Sequence, residues 1–174
     1  MSVESKAKSA KPGREGEFSA EVSRRVPGHK ASACEEDLQD LVLMVPQLLE
    51  RLNQMWQQPE VPPSFKRLSG YVRSYLCHPH DIIPEADGCL FGYADDAYLA
   101  AEVYLRAADS LPYDHPLKRG QEREFLLRVR ALRSPARFVI AAEAERIDAI
   151  IDALLAGDDR PFQGVFSDPA APPT

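Results

Sequence analysis

Residues 95–109, with the sequence DDAYLAAEVYLRAAD, are apolar around most of the circumference that they would have as a helix. This segment constrains the fold most, because a helix that is apolar on nearly all sides has to be buried. Five small side chains would allow neighbouring helices to approach it closely: Ala97, Ala100, Ala101, Ala107 and Ala108. We therefore predict that residues 95–109 form the central helix of a bundle.

Four further segments carry apolar residues at spacings of three and four, which is typical of amphipathic helices. They are residues 38–56, 63–76, about 120–134 and 140–155. Pro46 should bend or split the first of them, and the third should end near Ser134 and Pro135. Gly157 follows the last, where a C-terminal cap belongs. The predicted fold class is all-α: a single helical bundle of about five helices with disordered N- and C-terminal tails.

Two terminal segments lack the composition of a packed core. Residues 1–33 are rich in Lys, Ser, Gly, Glu and Ala and are predicted to be a disordered tail. Residues 157–174 contain Pro and Gly throughout and are predicted to be an extended tail. The helical domain between them spans residues 34–156, and its last part, about 120–156, is predicted to be an extra helical hairpin.

Some apolar side chains in the two tails are candidate docking residues for a partner protein. They are Phe18, Val22, Val26, Phe162, Val165 and Phe166. The first three recur at i, i+4 and i+8, which suits a short docking helix, although chance spacing is the simpler interpretation. For the last three, packing against the helical domain is the simpler interpretation.

The formal net charge of −6 is unevenly distributed. Residues 1–30 carry seven Lys and Arg against four Glu, so the remainder carries about −9. An acidic body repels a phosphate backbone, and we expect no nucleic-acid partner. Three cysteines at uneven spacing, Cys34, Cys77 and Cys89, are predicted to be free thiols in a reducing compartment. The sequence shows neither a long apolar run nor a signal peptide, so a cytoplasmic location is expected.

A paired motif precedes and opens the predicted central helix. It consists of the sequences PHDIIPE and GYADD, which supply Pro79, Asp81, Ile82, Ile83, Pro84 and Glu85, then Gly92, Asp95 and Asp96. With the helices around it, at about residues 41–107, this motif resembles the YkvA-like family, a small bacterial helical domain of unknown function. The resemblance implies a helical fold but no activity. Many members of that family are similar in continuing with a strongly apolar helix suited to a membrane, which Glu102 and Arg106 interrupt here.

The same region concentrates side chains of the types that bind metals. Four carboxylates could converge on a divalent cation such as Mg²⁺ or Ca²⁺: Asp81, Glu85, Asp95 and Asp96. Thiol and imidazole groups could instead bind zinc: Cys77, His78, His80 and Cys89. We favour a structural role, in which Asp81 begins a turn while Asp95 and Asp96 stabilise the start of the central helix. In this interpretation no cofactor is required, and the metal site is the alternative.

Two further features lie in the second half of the chain. His115 belongs to the loop sequence YDHPLKRG and is predicted to face solvent. Charged residues alternate in the last two helices and are predicted to form a mixed, solvated face: Arg123, Arg128, Arg130, Arg133, Arg137, Glu122, Glu124, Glu143 and Glu145. A basic strip that contacts an anionic lipid or an acidic partner is the alternative.

The sequence contains no complete catalytic set, no Gly-rich phosphate loop and no metalloprotease helix. The predicted function is therefore a non-enzymatic helical adaptor or accessory protein of the bacterial cytoplasm. It would act through protein–protein contacts, with a partner protein or within a homo-oligomer. Two alternatives remain open: a divalent-metal-dependent enzyme or regulator that uses the four carboxylates, and a peripheral membrane-associated protein.

Overall fold

The computed structural model describes residues 15–77, 82–83 and 89–164, and all regular structure within these ranges is helical. The α-helices are α1 Glu15–Arg25, α2 Gly28–Leu43, α3 Val45–Trp56, α4 Pro63–Leu76, α5 Ala94–Ser110, α6 Gly120–Val139, α7 Ala141–Leu155 and α8 Arg160–Gln163. Leu90–Tyr93 and Pro116–Lys118 form short 3₁₀ turns. The all-α prediction is confirmed, but the predicted number of about five helices is wrong, since the described ranges contain eight.

Helix α5 is the centre of the bundle, as predicted. It packs against α2, α3, α4, α6 and α7, and every residue from Ala94 to Leu105 is buried. Its alanines let these neighbours approach closely, because they are almost completely covered: Ala97, Ala100, Ala101, Ala107 and Ala108. The helix also buries Asp95, Asp96 and Glu102. Charged groups removed from water need partners inside the fold, so these three positions direct attention to their surroundings.

The apolar stripe of residues 38–56 is divided between α2 and α3. Helix α2 ends at Leu43, Met44 forms the junction, and Pro46 lies in the first turn of α3. Proline has no N–H to donate to the carbonyl four residues earlier, that of Val42, so a continuous helix would be broken here. The stripe continues through the junction, with Leu38, Leu41, Val45, Leu48, Leu52 and Met55 all buried. The predicted split at Pro46 is confirmed.

Residues 15–25 form α1 and residues 28–33 begin α2, which corrects the predicted disordered tail in this range. Phe18, Val22 and Val26, the candidate docking residues, are buried in the core of their own chain. Phe18 packs against Phe91, with the two ring centroids 6.0 Å apart. Apolar side chains at i, i+4 and i+8 lie on one face of a helix. The burial of these three residues therefore holds α1 against the core, although the composition of α1 is mostly polar.

Helix α6 continues past Pro135 to Val139, so the end predicted near Pro135 is wrong. A proline within a helix removes one backbone hydrogen bond, here to the carbonyl of Ala131. Ala131 occupies an exposed position, so water can replace the missing donor. Burial of Leu132, Ala136 and Val139 continues on one face of the helix across the proline, and this packing outweighs the lost bond.

The C-terminal segment contains the short helix α8, which corrects the predicted extended tail at this point. Phe162 of α8 is buried and packs edge-on against Tyr71 of α4, with ring centroids 4.9 Å apart. Packing against the domain is therefore confirmed for Phe162. Val165 and Phe166 lie outside the described residues, as do residues 1–14 and the rest of the C-terminal tail.

Gly157 ends α7 in a left-handed conformation, with φ of +89°. Its N–H donates to the Leu154 carbonyl at 3.1 Å, and the N–H of Asp158 donates to the Ala153 carbonyl at 2.8 Å. These two bonds form a Schellman motif, which satisfies carbonyls that have no partner within the helix. The predicted cap at Gly157 is confirmed.

The two glycines Gly157 and Gly70 should respond oppositely to substitution by alanine. Gly157→Ala should lower the free energy of unfolding by about 1 kcal/mol, because a Cβ is strained in the left-handed region. Gly70 lies within α4 and a Cβ there would meet open space. Gly70→Ala should therefore raise the free energy of unfolding by about 0.5 kcal/mol. Urea unfolding followed by circular dichroism measures both changes, and equal effects at the two positions would contradict the assignment of the cap.

Candidate functional site

Asp95 lies in the first turn of α5 and is completely buried. Its Oδ2 accepts a hydrogen bond from the Tyr75 hydroxyl of α4 at 2.7 Å and another from the Ile83 N–H at 3.0 Å. The Tyr75 hydroxyl in turn accepts a hydrogen bond from the Ile82 N–H at 3.1 Å. Two side chains thus pair the backbone of the PHDIIPE motif and connect it to two helices. Asp95 therefore stabilises the tertiary structure around the motif as well as the start of α5.

Burial raises the pKa of the Asp95 carboxyl, although the hydrogen bonds from Tyr75 and Ile83 act in the opposite direction. At pH values between the pKa of Asp95 in the unfolded chain and its raised pKa in the folded protein, the folded protein binds more protons than the unfolded chain. The free energy of unfolding must consequently fall as the pH rises through that interval.

We expect the free energy of unfolding of the wild type, relative to that of Asp95→Asn, to decrease from about pH 4 upward, because only the wild type titrates at this position. Tyr75→Phe should extend the decrease to higher pH, because loss of a hydrogen bond that stabilises the charged carboxylate raises the pKa of Asp95 in the folded state and leaves its pKa in the unfolded state unchanged. Urea titrations of the three proteins across the pH range measure these curves. A difference between wild type and Asp95→Asn that stays constant with pH would show that Asp95 keeps its ordinary pKa.

The proposed metal ligands are only partly within the described residues. Six residues of the paired motif and the proposed metal sites lie outside the described residues: His78, Pro79, His80, Asp81, Pro84 and Glu85. Cys77 is exposed and Cys89 is half-buried, and both are free thiols, as is Cys34. Gly92 is buried in the 3₁₀ turn Leu90–Tyr93, and Asp96 is buried in the first turn of α5. Within the described ranges, no group of three or more His, Cys, Asp and Glu side chains could hold a metal ion. The divalent-metal and zinc sites stay predictions, because they depend on the undescribed residues.

A second polar cluster joins α5, α6 and α7. This charge cluster consists of Tyr98, Glu102, Arg106, Arg133, Arg137, Asp148 and Asp152. Glu102 is buried, and its two oxygens accept hydrogen bonds from Nε of Arg106 at 2.7 Å and from Nε of Arg133 at 2.8 Å. Arg106 also forms an ion pair with Asp152 of α7. The buried carboxylate of α5 is therefore neutralised by arginines that reach it from two helices.

The other half of the charge cluster is centred on the Tyr98 hydroxyl. It accepts a hydrogen bond from Arg137 at 2.7 Å and donates one to Asp148 at 3.1 Å, and Arg137 also pairs directly with Asp148. Burial raises the pKa of Tyr98 to about 12, so its hydroxyl stays protonated at neutral pH. The cluster contains three arginines and three carboxylates, all of them paired. This arrangement suits holding three helices together.

The sequence contained a signal for the charge cluster that our prediction did not use. Glu102 and Arg106 interrupt a helix that is otherwise apolar on all sides. A charged residue in such a helix has to be paired inside the protein, since lone charges are rarely buried. Arg133 and Arg137 show the same four-residue spacing on α6 and are the matching cations.

Two ion pairs that both connect α5 to α6 should contribute very differently to stability. The Glu102–Arg133 pair includes a buried carboxylate, whereas both partners of the Asp109–Arg130 pair are more than half exposed. In double-mutant cycles with Glu102→Gln and Arg133→Met, we expect a coupling energy of about 1 to 3 kcal/mol. The matched cycle with Asp109→Asn and Arg130→Met should give no more than about 0.5 kcal/mol, which added salt reduces further. Similar coupling energies for both pairs would contradict the importance of burial.

The arginines of α6 pair mainly with carboxylates of other helices. Arg128 pairs with Asp40 of α2 at 2.9 Å, and Arg130 pairs with Asp109 of α5 at 2.6 Å. Glu122 and Glu143 likewise pair outside their own helices, with Arg51 of α3 and Arg25 of α1 respectively. Most of the charge that looked like a basic strip is therefore neutralised within the fold.

His115 is buried, so the prediction that it faces solvent is wrong. Its Nδ1 accepts a hydrogen bond from the Leu117 N–H at 3.2 Å, and its Nε2 lies 3.9 Å from the carboxylate of Glu60. The side chain caps the 3₁₀ turn that begins at Pro116. His115 is thus a structural element of the loop between α5 and α6.

Large apolar side chains are exposed at four positions in the described part of the chain. They are Leu43 at 53%, Tyr113 at 89%, Leu127 at 52% and Phe138 at 49% exposure. Three of the four belong to α2 and α6. These helices pack antiparallel, because Asp40 pairs with Arg128 while the ammonium of Lys30 lies 5.7 Å from the ring centroid of Phe138. The side of this pair that carries Leu43, Leu127 and Phe138 is called the α2–α6 outer face below.

None of the helices in the described ranges has the combination of length and apolar character needed to cross a bilayer. Comparisons with protein-family models, with curated proteins and with solved structures gave no match. The resemblance to the YkvA-like family therefore stays a prediction from the residues of the paired motif.

Proposed function

We propose that this protein is a non-enzymatic helical adaptor or accessory protein of the bacterial cytoplasm that acts through protein–protein contacts. The observation that carries this proposal is the α2–α6 outer face, where Leu43, Leu127 and Phe138 are each about half exposed. Large apolar side chains exposed along one side of a helix pair are a feature of surfaces that bind other proteins.

The surroundings of the α2–α6 outer face also suit a protein interface. Between Leu127 and Phe138, the exposed positions of α6 include the small residues Ala131 and Ser134, which would allow a partner helix to approach closely. Arg128 and Asp40 lie among these residues and are exposed. Aromatic side chains such as Phe138 and arginines such as Arg128 are both enriched at protein–protein interfaces.

The double variant Leu43→Ser and Phe138→Ser should weaken partner binding or self-association at least about tenfold, because it removes two of the three large apolar side chains of the α2–α6 outer face, and truncation of such side chains costs binding energy. Both positions are exposed, so the melting temperature should change little. Sedimentation velocity of the purified chain, alone and with the proteins that co-purify with it under gentle conditions, measures the loss.

Ala20→Ser with Ala149→Ser is the matched control, since both alanines are exposed on helices outside the α2–α6 outer face. The control should retain the affinity of the wild type. A wild-type chain that stays monomeric and co-purifies with no other protein would overturn the proposal. So would a partner that binds the double variant and the wild type equally.

A further inference from the structure

A groove of about 510 Å³ lies between the α5–α6 loop and the first half of α6. The loop contributes Tyr113, Lys118 and Arg119, and the helix contributes Arg123, Leu127 and Arg130. Two of the four exposed large apolar side chains, Tyr113 and Leu127, therefore line this one groove.

The groove carries an excess of positive charge that the fold does not neutralise. Arg130 pairs with Asp109, and the ammonium of Lys118 donates to the Leu111 carbonyl at 2.5 Å. Arg119 and Arg123 are exposed, and neither forms an ion pair or a side-chain hydrogen bond within the described ranges. The lining acids are Asp109 and Asp114, and the first is already paired. Two guanidinium groups are thus available for an acidic ligand, on a protein that is acidic elsewhere.

The loop wall of the groove is held in place by hydrogen bonds. His115 caps the 3₁₀ turn through its Nδ1, and the backbone N–H groups of Lys118 and Arg119 donate to the carbonyls of His115 and Pro116 at 2.9 and 3.1 Å. A wall that is already ordered does not lose conformational entropy when a ligand binds. The backbone of this wall is therefore preorganised for a ligand.

We propose that this groove binds an acidic segment of a partner protein, with two carboxylates on Arg119 and Arg123 and an apolar side chain between Tyr113 and Leu127. This inference rests on the proposed adaptor function and names the chemistry of its partner. Guanidinium groups bind carboxylates through paired hydrogen bonds, and a tyrosine ring offers a large contact area at low entropic cost. The first turn of α6 adds a favourable dipole for negative charge.

The charge distribution favours a peptide over a polyanion with regularly spaced phosphates. Asp114 lies in the same groove without an ion pair in the described ranges, and it would repel a nucleic acid or an anionic lipid surface. A peptide can place its carboxylates near Arg119 and Arg123 alone and direct an apolar side chain toward Tyr113. The groove thus combines two kinds of contact that an acidic, partly apolar peptide can satisfy together.

Selection of a displayed library of random linear peptides against the purified full chain tests this proposal directly. We expect enriched peptides to combine Asp or Glu with Leu, Phe, Tyr or Trp. Their affinity, measured by fluorescence anisotropy with the labelled synthetic peptide, should fall at least about tenfold in the double variant Arg119→Glu and Arg123→Glu. It should fall similarly in Tyr113→Ala. If the charge reversal impairs folding, Arg119→Gln with Arg123→Gln gives the same comparison.

Arg67→Glu with Arg146→Glu is the matched control, because it makes the same charge change at exposed arginines outside the groove. It should reduce affinity by no more than about twofold, through the lost long-range attraction. Peptides that lack acidic residues, or that bind the groove variant and the wild type equally, would overturn the proposal. So would failure to enrich any peptide.

Two other candidate ligands of the groove would give different experimental results. Binding to phosphatidylserine vesicles that the Arg119→Glu and Arg123→Glu variant abolishes would replace the peptide with a lipid surface. A salt-sensitive dimer that the same variant abolishes would replace it with a second copy of the chain. If no peptide is enriched while Leu43→Ser and Phe138→Ser still abolish partner binding, the groove proposal fails and the adaptor function does not.

Discussion

Neutralisation of Glu102 inside α5 is the interaction on which the arrangement of the bundle depends. Helix α5 is covered by five other helices, so a lone carboxylate at its middle would cost several kcal/mol. Arg106 and Arg133 supply the counter-charges, and Arg106 reaches onward to Asp152 of α7. Because these groups belong to α5, α6 and α7, satisfying one buried charge also fixes the relative positions of three helices.

A similar principle governs the connection between α4 and α5. The N–H groups of residues 82 and 83 are paired by the Tyr75 hydroxyl and the Asp95 carboxylate rather than by regular secondary structure. Asp95 belongs to the cluster of carboxylates seen in the sequence, and its carboxylate accepts a hydrogen bond from the backbone. Oδ2 of Asp95 accepts both this hydrogen bond and the one from the Tyr75 hydroxyl, and the divalent-metal site stays a prediction because Asp81 and Glu85 lie outside the described residues.

The sequence predicted those features that depend on local patterns. Apolar periodicity located α4 and the buried α5, and the chemistry of Pro46 and Gly157 located a helix junction and a cap. It failed where tertiary packing overrides local preference: Pro135 stays within α6 because the same face remains buried on both sides of it. Helix α1 was missed because its polar composition outweighed three apolar side chains, and the partners of the arginines could not be known before the helices were placed.

Helix α6 connects the inner polar structure to the proposed binding surfaces. Arg133 and Arg137 point to the charge cluster, while Leu127 and Phe138 are exposed on the same helix, so the pairs that fix α6 also fix the apolar side chains. Along this helix, arginines from position 128 onward are neutralised by carboxylates of other helices. Arg119 and Arg123 precede the region in which α2 and α5 supply such partners. Positive charge therefore remains where the groove begins, and the proposed recognition of an acidic partner is based on this distribution of ion pairs.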